Sequence, residues 1–260
     1  AVNLSDLAAM GAQPRAFTLA LALPHARGEW LAAFSDGMFE VAERFGCELI
    51  GGDTTRGPLN ICITVFGDVP PQDALRRDAA RAGDDVWVSG TLGDARAGLG
   101  MLRGEWTVDA SAAAGFRHAL ERPAPRIALG LALRGIAHAA LDLSDGLAGD
   151  LRHILERSRV NATVDADAVP RSTALRKLPA DVQRRCALEG GDDYELCFTA
   201  PATARATLEA LGERVGVPLA RIGTISALQA PADEPAIHWH DSAGAPLSLT
   251  LHGFDHFNAD

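Results

Sequence analysis

Asp142-Leu143-Ser144-Asp145-Gly146 sits between an apolar run, Ile136 to Leu141, and a helical pattern that begins at Leu147. A strand end feeding a helix start is where backbone N–H groups and carboxylates converge on a ligand. Two aspartates three positions apart with a hydroxyl between them offer the oxygen-only chemistry of a Mg²⁺ site. An echo lies early in the chain, at Asn3-Leu4-Ser5-Asp6. Each copy is followed by a Gly-Gly-Asp, Gly51-Gly52-Asp53 and Gly190-Gly191-Asp192, with 47 residues separating Asp6 from Asp53 and Asp145 from Asp192. The pattern predicts four acidic turns assembled into one metal–phosphate site. Helix caps and tight turns use the same residue types and are the competing reading for any single turn.

The flanks point to interleaved strands and helices. Phe17 to Leu23 reads as a buried strand and Trp30 to Phe45 as a helix capped by Gly46. Glu48 to Ile50 reads as a short strand entering a turn at Gly51 to Thr55. Ile61, Ile63 and Val65 alternate with Cys62 and Thr64, as in a sheet with two unlike faces. Val69-Pro70-Pro71 is the linker candidate, so domains of 1–70 and 71–260 are expected. Beyond it, strands are expected at Val86 to Val88, Tyr194 to Phe198, Ile222 to Ile225, Ile237 to Trp239 and Leu247 to Leu251. Helices are expected after the turn Ser89 to Asp94, then at Ser111 to Leu120, Pro125 to Ala137, Leu147 to Arg157 and Ala202 to Val215. The glycine-rich turn at Ser89 to Asp94 fits a phosphate loop or a plain turn equally. The interleaving gives an α/β or α+β protein.

Composition narrows the function. With 34 acidic and 24 basic residues the formal charge is −10, which argues against nucleic acid or an anionic membrane as partner. Nucleotides remain open, because Mg²⁺ bridges acidic protein to anionic phosphate. Lys177 is the only lysine, and its neighbours cannot form a P-loop. Cys47, Cys62, Cys186 and Cys197 lack the close spacing of a zinc knuckle, so free thiols in a reducing cytoplasm are expected. No apolar run reaches the length of a membrane span. His238 and His240 share a strand face but lack a third ligand, and His252 and His256 fall in the tail.

Asp6, Asp53, Asp142 and Asp145 would repel one another by several kcal/mol at about 4 Å separation if unneutralised. Several Mg²⁺ ions resolve that and can bridge a nucleotide to an acceptor. Arg77 is either a bidentate phosphate ligand or a solvated surface arginine. Ser144 either binds phosphate or metal, or caps the helix. No Ser-His-Asp or Cys-His pairing can be argued from spacing.

The ordered set Asn3-Leu4-Ser5-Asp6-Leu7-Ala8-Ala9-Met10-Gly11-Ala12, Gly51-Gly52-Asp53-Thr54-Thr55, Asp142-Leu143-Ser144-Asp145-Gly146-Leu147 and Tyr194-Glu195-Leu196 resembles the bacterial thiamine-monophosphate kinases. The tail Gly253-Phe254-Asp255-His256-Phe257 fits that family's ending. The resemblance implies a two-domain fold like aminoimidazole ribonucleotide synthetase, without a P-loop. It implies transfer of the ATP γ-phosphoryl to thiamine monophosphate, giving thiamine diphosphate. It carries the family's metal ligands onto Asp6, Asp53, Asp142 and Asp145, and its ATP contacts onto Gly52, Asp53, Arg77 and Ser144. Thiamine contacts fall on Asp192, where family members commonly have Glu, and on Leu251, where some have Trp. A homodimer through a joint barrel of N-terminal strands is implied as well. The family carries a Gly-Asp-Asp turn, a further acidic metal site and a substrate-binding histidine ahead of Asn-Leu-Ser-Asp. This chain opens directly on that motif and is expected to lack them. Because the acceptor is already an anionic oxygen, no catalytic His or Cys is required. Other ATP-using members of the superfamily, or a non-catalytic nucleotide-binding module, are the alternatives.

Overall fold

The computed structural model describes residues 1–230, 232–249 and 251. The first part of the chain runs α1 (Val2–Ala9), β1 (Gln13–Leu23), α2 (Gly28–Phe45), β2 (Glu48–Arg56) and β3 (Asn60–Asp68). These strands form a sheet in the order β2-β1-β3. β1 and β2 are parallel, and their connection is α2, which supplies the long crossover that parallel strands require. β3 returns antiparallel to β1. Alternation along β1 sends Phe17, Leu21 and Leu23 to one face, where Phe17 meets Met38, Val41, Ala42 and Phe45 of α2. Gly46, at φ 62, ends that helix in a left-handed conformation that suits glycine. The opposite face is open: Ala20 pairs with Asp53 on one side and Cys62 on the other, and all three are exposed.

The turn expected at Gly51 to Thr55 is absent, because β2 continues through it to Arg56. Gly52 allows this. A Cβ there would lie 1.9 Å from the Leu19 carbonyl oxygen, so only glycine lets β1 and β2 approach along the run. Asp53 is therefore a mid-strand residue.

The rest of the chain runs β4 (Asp84–Ser89), α3 (Asp94–Leu102), α4 (Ala110–Glu121), α5 (Ile127–Ala132), β5 (Ala139–Asp142), α6 (Leu147–Ser158) and β6 (Val160–Asp165). It continues with α7 (Ala180–Glu189), β7 (Leu196–Pro201), α8 (Arg205–Val215), β8 (Leu219–Ala227) and β9 (Ile237–His240). Its sheet has the order β5-β7-β4-β8-β6-β9, antiparallel except for the parallel β6–β9 pair. Both faces of its centre are covered, which is why every residue of β4 is buried. Val86, Val88 and Cys197 face a core completed by α3, α4, α6 and α7. Trp87, Leu196 and Phe198 face the other way, with Trp87 stacked on Phe198 at 6.4 Å between centroids. That second core takes in Leu129 and Leu133 from the α5 region, Leu208 and Leu211 of α8, and Leu4 and Ala8 of α1. It is continuous with the apolar face of the small sheet. Burying Leu151, Ile154 and Leu155, each fully inaccessible, contributes about 1.5–3 kcal/mol per side chain.

Several elements differ from expectation. The predicted helix Pro125 to Ala137 shrinks to Ile127–Ala132, and Gly135 turns the chain at φ 71 so that the apolar run ends as β5. The strand expected from Tyr194 starts at Leu196, since Tyr194 has φ 50 and is not extended. β6 and α7 carry no expectation from the sequence. Leu247 to Leu251 form no strand among the described residues, where the Leu247 N–H donates to the Trp239 carbonyl and Leu249 bonds back to Leu247. His252, His256 and the tail motif Gly253 to Phe257 lie outside the described residues.

Candidate functional site

α1 places the first carboxylate. Leu4, Ser5, Ala8 and Ala9 form its buried stripe, and the helix packs on α5 and β5. The approach to α5 is a main-chain contact: a Cβ on Gly130 would meet the Ala8 carbonyl oxygen at 2.0 Å. Arg134 locks the turn after α1 by donating from Nε to the Gly11 carbonyl at 2.6 Å. Asp6 is left on the exposed side, at the wall of a cavity of about 460 Å³. Asp142, Arg76, Arg77 and Arg157 line the same cavity. Burial first, and then the nearby Asp142, push the Asp6 carboxyl above its ordinary range, while Arg77 opposes them. Arg76 is held by Asp78 through two hydrogen bonds, at 2.8 and 2.5 Å.

Asp142 ends β5 and is only 7% exposed. The loop after it is zipped to the Gly190–Glu195 segment by backbone bonds. Leu143 N donates to Glu195 O at 2.8 Å, Tyr194 N to Leu143 O at 2.9 Å, and Asp192 N to Ser144 O at 2.9 Å. Glycines permit this closeness. A Cβ on Gly191 would lie 2.3 Å from the Ser144 carbonyl oxygen, and one on Gly146 would lie 2.5 Å from that of Glu189. Below the loop, Asp150 Oδ2 accepts from both Ser144 N and Asp145 N at 3.0 Å. Burial, moderated by those two donors, raises the Asp150 carboxyl to about 6.

The segment that begins at Asp192 spends its side chains in different directions. Asp192 and Tyr194 line a second cavity, of about 730 Å³, together with Asn3, Cys62 and Glu121. Asp193 turns inward, where its Oδ2 accepts from Gly93 N at 2.8 Å at the start of α3. Burial drives its carboxyl well above the usual range. Glu195, 5% exposed, accepts from Ser89 Oγ at 2.5 Å and from both arms of Arg126. The Ser89–Asp94 turn is thus occupied by carboxylates of this chain, and the plain-turn reading accounts for it. Asp193→Ala would leave the α3 N–H groups without their acceptor. It should cost about 1–2 kcal/mol, read as a lower melting temperature.

The expected site residues divide as follows. Asp6, Arg77 and Asp142 share the smaller cavity, and Asp192 lines the larger one. Ser144 and Asp145 occupy the loop after β5, held by Asp150, and line neither cavity. Gly52 and Asp53 lie on β2 and line neither cavity. Leu251 is half-buried against the core of the larger sheet. The two echo motifs do not build equivalent structures, since the first is a helix and a strand and the second a strand end and a loop. Among the described residues no three His, Cys, Asp or Glu side chains converge tightly enough to hold a cation unaided. Asp150, Asp193, Arg126 and Arg157 were not read from the sequence. The signal for Asp150 was its place in the first turn of α6.

A third cavity, about 400 Å³, lies between α2 and the small sheet, lined by Phe17, Phe34, Met38 and Val41, and contains none of these acidic groups. Among the described residues no helix is long and apolar enough to cross a membrane. The four cysteines are unpaired, with Cys62 exposed and the others buried.

Residues 1–69 match the family described as AIR synthase related protein, N-terminal domain, and residues 81–232 match its C-terminal domain. A thiamine-monophosphate kinase of Salmonella typhimurium is 46% identical over 99% of this chain and 78% of its own length. The crystal structure of thiamine-monophosphate kinase from Stenotrophomonas maltophilia K279a is 51% identical, with TM-score 0.86, over 95% of this chain and 77% of that one. A structure described as "AaThiL complexed with AMPPCP and TMP" is 28% identical, with TM-score 0.77, over 95% of this chain and 77% of that one.

Proposed function

Since the chain belongs to the thiamine-monophosphate kinase family of AIR synthase related proteins, we propose that the two cavities flanking α1 are the two ends of its acceptor site. The reaction is ATP-dependent phosphorylation of thiamine monophosphate to thiamine diphosphate. The observation that carries the placement is the polarity of the cleft. Arg76, Arg77 and Arg157 line the cavity at the C-terminal end of α1 beside Asp6, Asp78 and Asp142, and with Arg76 held by Asp78 the phosphate-gripping candidates there are Arg77 and Arg157. The cavity at its N-terminal end is lined by Asp192 and Glu121, with no arginine, lysine or histidine among the described residues. The nearest α1 residues of the two cavities, Asn3 and Asp6, are three positions apart, about 4.5 Å of helix rise. In thiamine monophosphate a cationic thiazolium carries the phosphate on a two-carbon arm and a neutral aminopyrimidine on its other side, so a phosphate-gripping arginine followed closely by an acidic, arginine-free stretch suits that order of charges.

The anionic acceptor oxygen needs no general base. Alignment and charge neutralisation are what the protein must supply. Arg77 can grip a phosphate through its forked donors, and the N–H groups of Ser144 and Asp145 are already committed to Asp150. The Asp6–Asp142 pair fits a divalent cation, because the two carboxylates share one cavity and burial, followed by the Asp142 charge, disfavours ionisation of Asp6. Asp6, Asp53, Asp142 and Asp145 would hold Mg²⁺, with ATP contacts on Gly52, Asp53, Arg77 and Ser144 and thiamine contacts on Asp192 and Leu251. Bound there, Mg²⁺ would neutralise phosphate charge. We divide the chain at Pro70-Pro71 into a nucleotide and dimerisation part, 1–70, and an α/β part, 71–260. The exposed face of the small sheet, with Phe66 47% exposed, supports a homodimer through that part. Free thiols and dependence on ATP support a cytoplasmic setting.

The test is a direct assay. With ATP, Mg²⁺ and thiamine monophosphate, the protein should form thiamine diphosphate and ADP in equal amounts. ATP hydrolysis without thiamine diphosphate would refute the assignment.

A further inference from the structure

Among the described residues, only Arg159, Asp192 and Tyr194 are non-glycine residues with positive φ. Arg159, at φ 56, closes α6, a position where such a conformation is routine. The other two belong to one loop and line one cavity. Asp tolerates the left-handed region, but a bulky aromatic rarely sits there, and glycine would relieve the backbone. Tyr194 keeps its ring in spite of that, although its N–H to Leu143 is a main-chain bond any residue could make. The side chain is therefore what the position retains.

What surrounds it is negative. The Tyr194 hydroxyl donates to Asp192 Oδ1 at 3.5 Å. Burial first, then Asp192, Asp142 and Asp145, lift the phenol to about 12, so it stays neutral. Asp192 is itself pushed up by burial, with Tyr194 opposing. Glu121 lines the same cavity and is partly satisfied by Arg117 at 2.7 Å. An aromatic ring beside carboxylates, with no basic side chain among the described lining residues, suits a flat organic cation.

We propose that Tyr194, with Asp192 beside it, is the specificity-determining residue for the charged ring of the acceptor: its aromatic face selects a permanently cationic heterocycle over a neutral one of the same shape. The inference rests on the function proposed above, because that reading identifies the occupant. It adds a role for Tyr194 that the phosphate chemistry does not use.

The test is calorimetric binding, without ATP, of thiamine monophosphate and of an analogue in which an uncharged aromatic ring replaces the thiazolium. Tyr194→Leu should weaken thiamine monophosphate about tenfold and leave the neutral analogue within about twofold. Tyr194→Phe, which keeps the ring and loses only the bond to Asp192, should retain most of the preference for the cation over the neutral analogue. Tyr194→Gly should lose the cation to the same degree as Tyr194→Leu without a lower melting temperature, which separates recognition from folding. Equal weakening of both ligands by Tyr194→Leu would reduce the ring to apolar packing and overturn the proposal. So would undiminished binding, or a loss in Tyr194→Phe as large as in Tyr194→Leu. Turnover is read separately: binding that follows the expected pattern in a protein that makes no thiamine diphosphate would sink the kinase reading and leave the role of Tyr194 standing.

Discussion

Asp142→Asn is expected to lower kcat by about 10²–10³-fold while the protein melts at or slightly above its usual temperature. The side chain is nearly inaccessible, sits at the end of β5, and faces Asp6 across the smaller cavity. Its charge disfavours ionisation of Asp6 and Asp150, so neutralising it relieves repulsion in the empty protein. The same charge is what would offset a cation and the phosphates it accompanies. The fold therefore gains or holds steady while the reaction loses. A coupled assay for ADP beside a thermal melt separates the two effects. A variant with unaltered kcat would remove Asp142 from the reaction, and one that fails to fold would make it a structural residue.

Gly191→Ala should damage both fold and activity. The added methyl would press on the Ser144 carbonyl oxygen, which accepts the Asp192 N–H. Pushing the loops apart costs the overpacking strain and that hydrogen bond, about 3 kcal/mol together. For a chain of this size the melting temperature should fall by roughly 6–12 °C. Turnover should collapse too, because Asp142–Asp145 and Asp192–Tyr194 lose their common register. Gly115→Ala is the control. Nothing lies within 4 Å of its Cβ position, inside α4, so that change should be neutral or stabilising. Equal melting temperatures for the two variants would mean that the loop contact is looser than its geometry.

Much of this was legible in the chain. The 3.6-residue spacing of α2 and α6 and the alternation in β3 are local signals, and they gave the elements within a few residues. The acidic loop at Asp142 to Gly146 was legible because strand, turn and helix residues follow one another directly. The unlike structures of the two Gly-Gly-Asp motifs were not. Gly51-Gly52-Asp53 looks like a turn by composition, yet its glycines serve the close approach of β1 and β2, a fact of tertiary structure. Asp193 was illegible for a related reason. It accepts a hydrogen bond from the main-chain N–H of Gly93 at the start of α3, and no periodicity marks an acceptor whose donor lies a hundred residues away. Tyr194 looked like a strand residue because tyrosine favours strands, and the tight loop overrode that preference.

The contact between Gly130 and Ala8 bears on how the protein tolerates change. It is made of backbone, so drift among neighbouring core side chains can reshape local packing while the anchoring of Asp6 stays put. Across diverging sequences the chemistry can thus outlast the hydrophobic residues around it, provided one position never acquires a side chain.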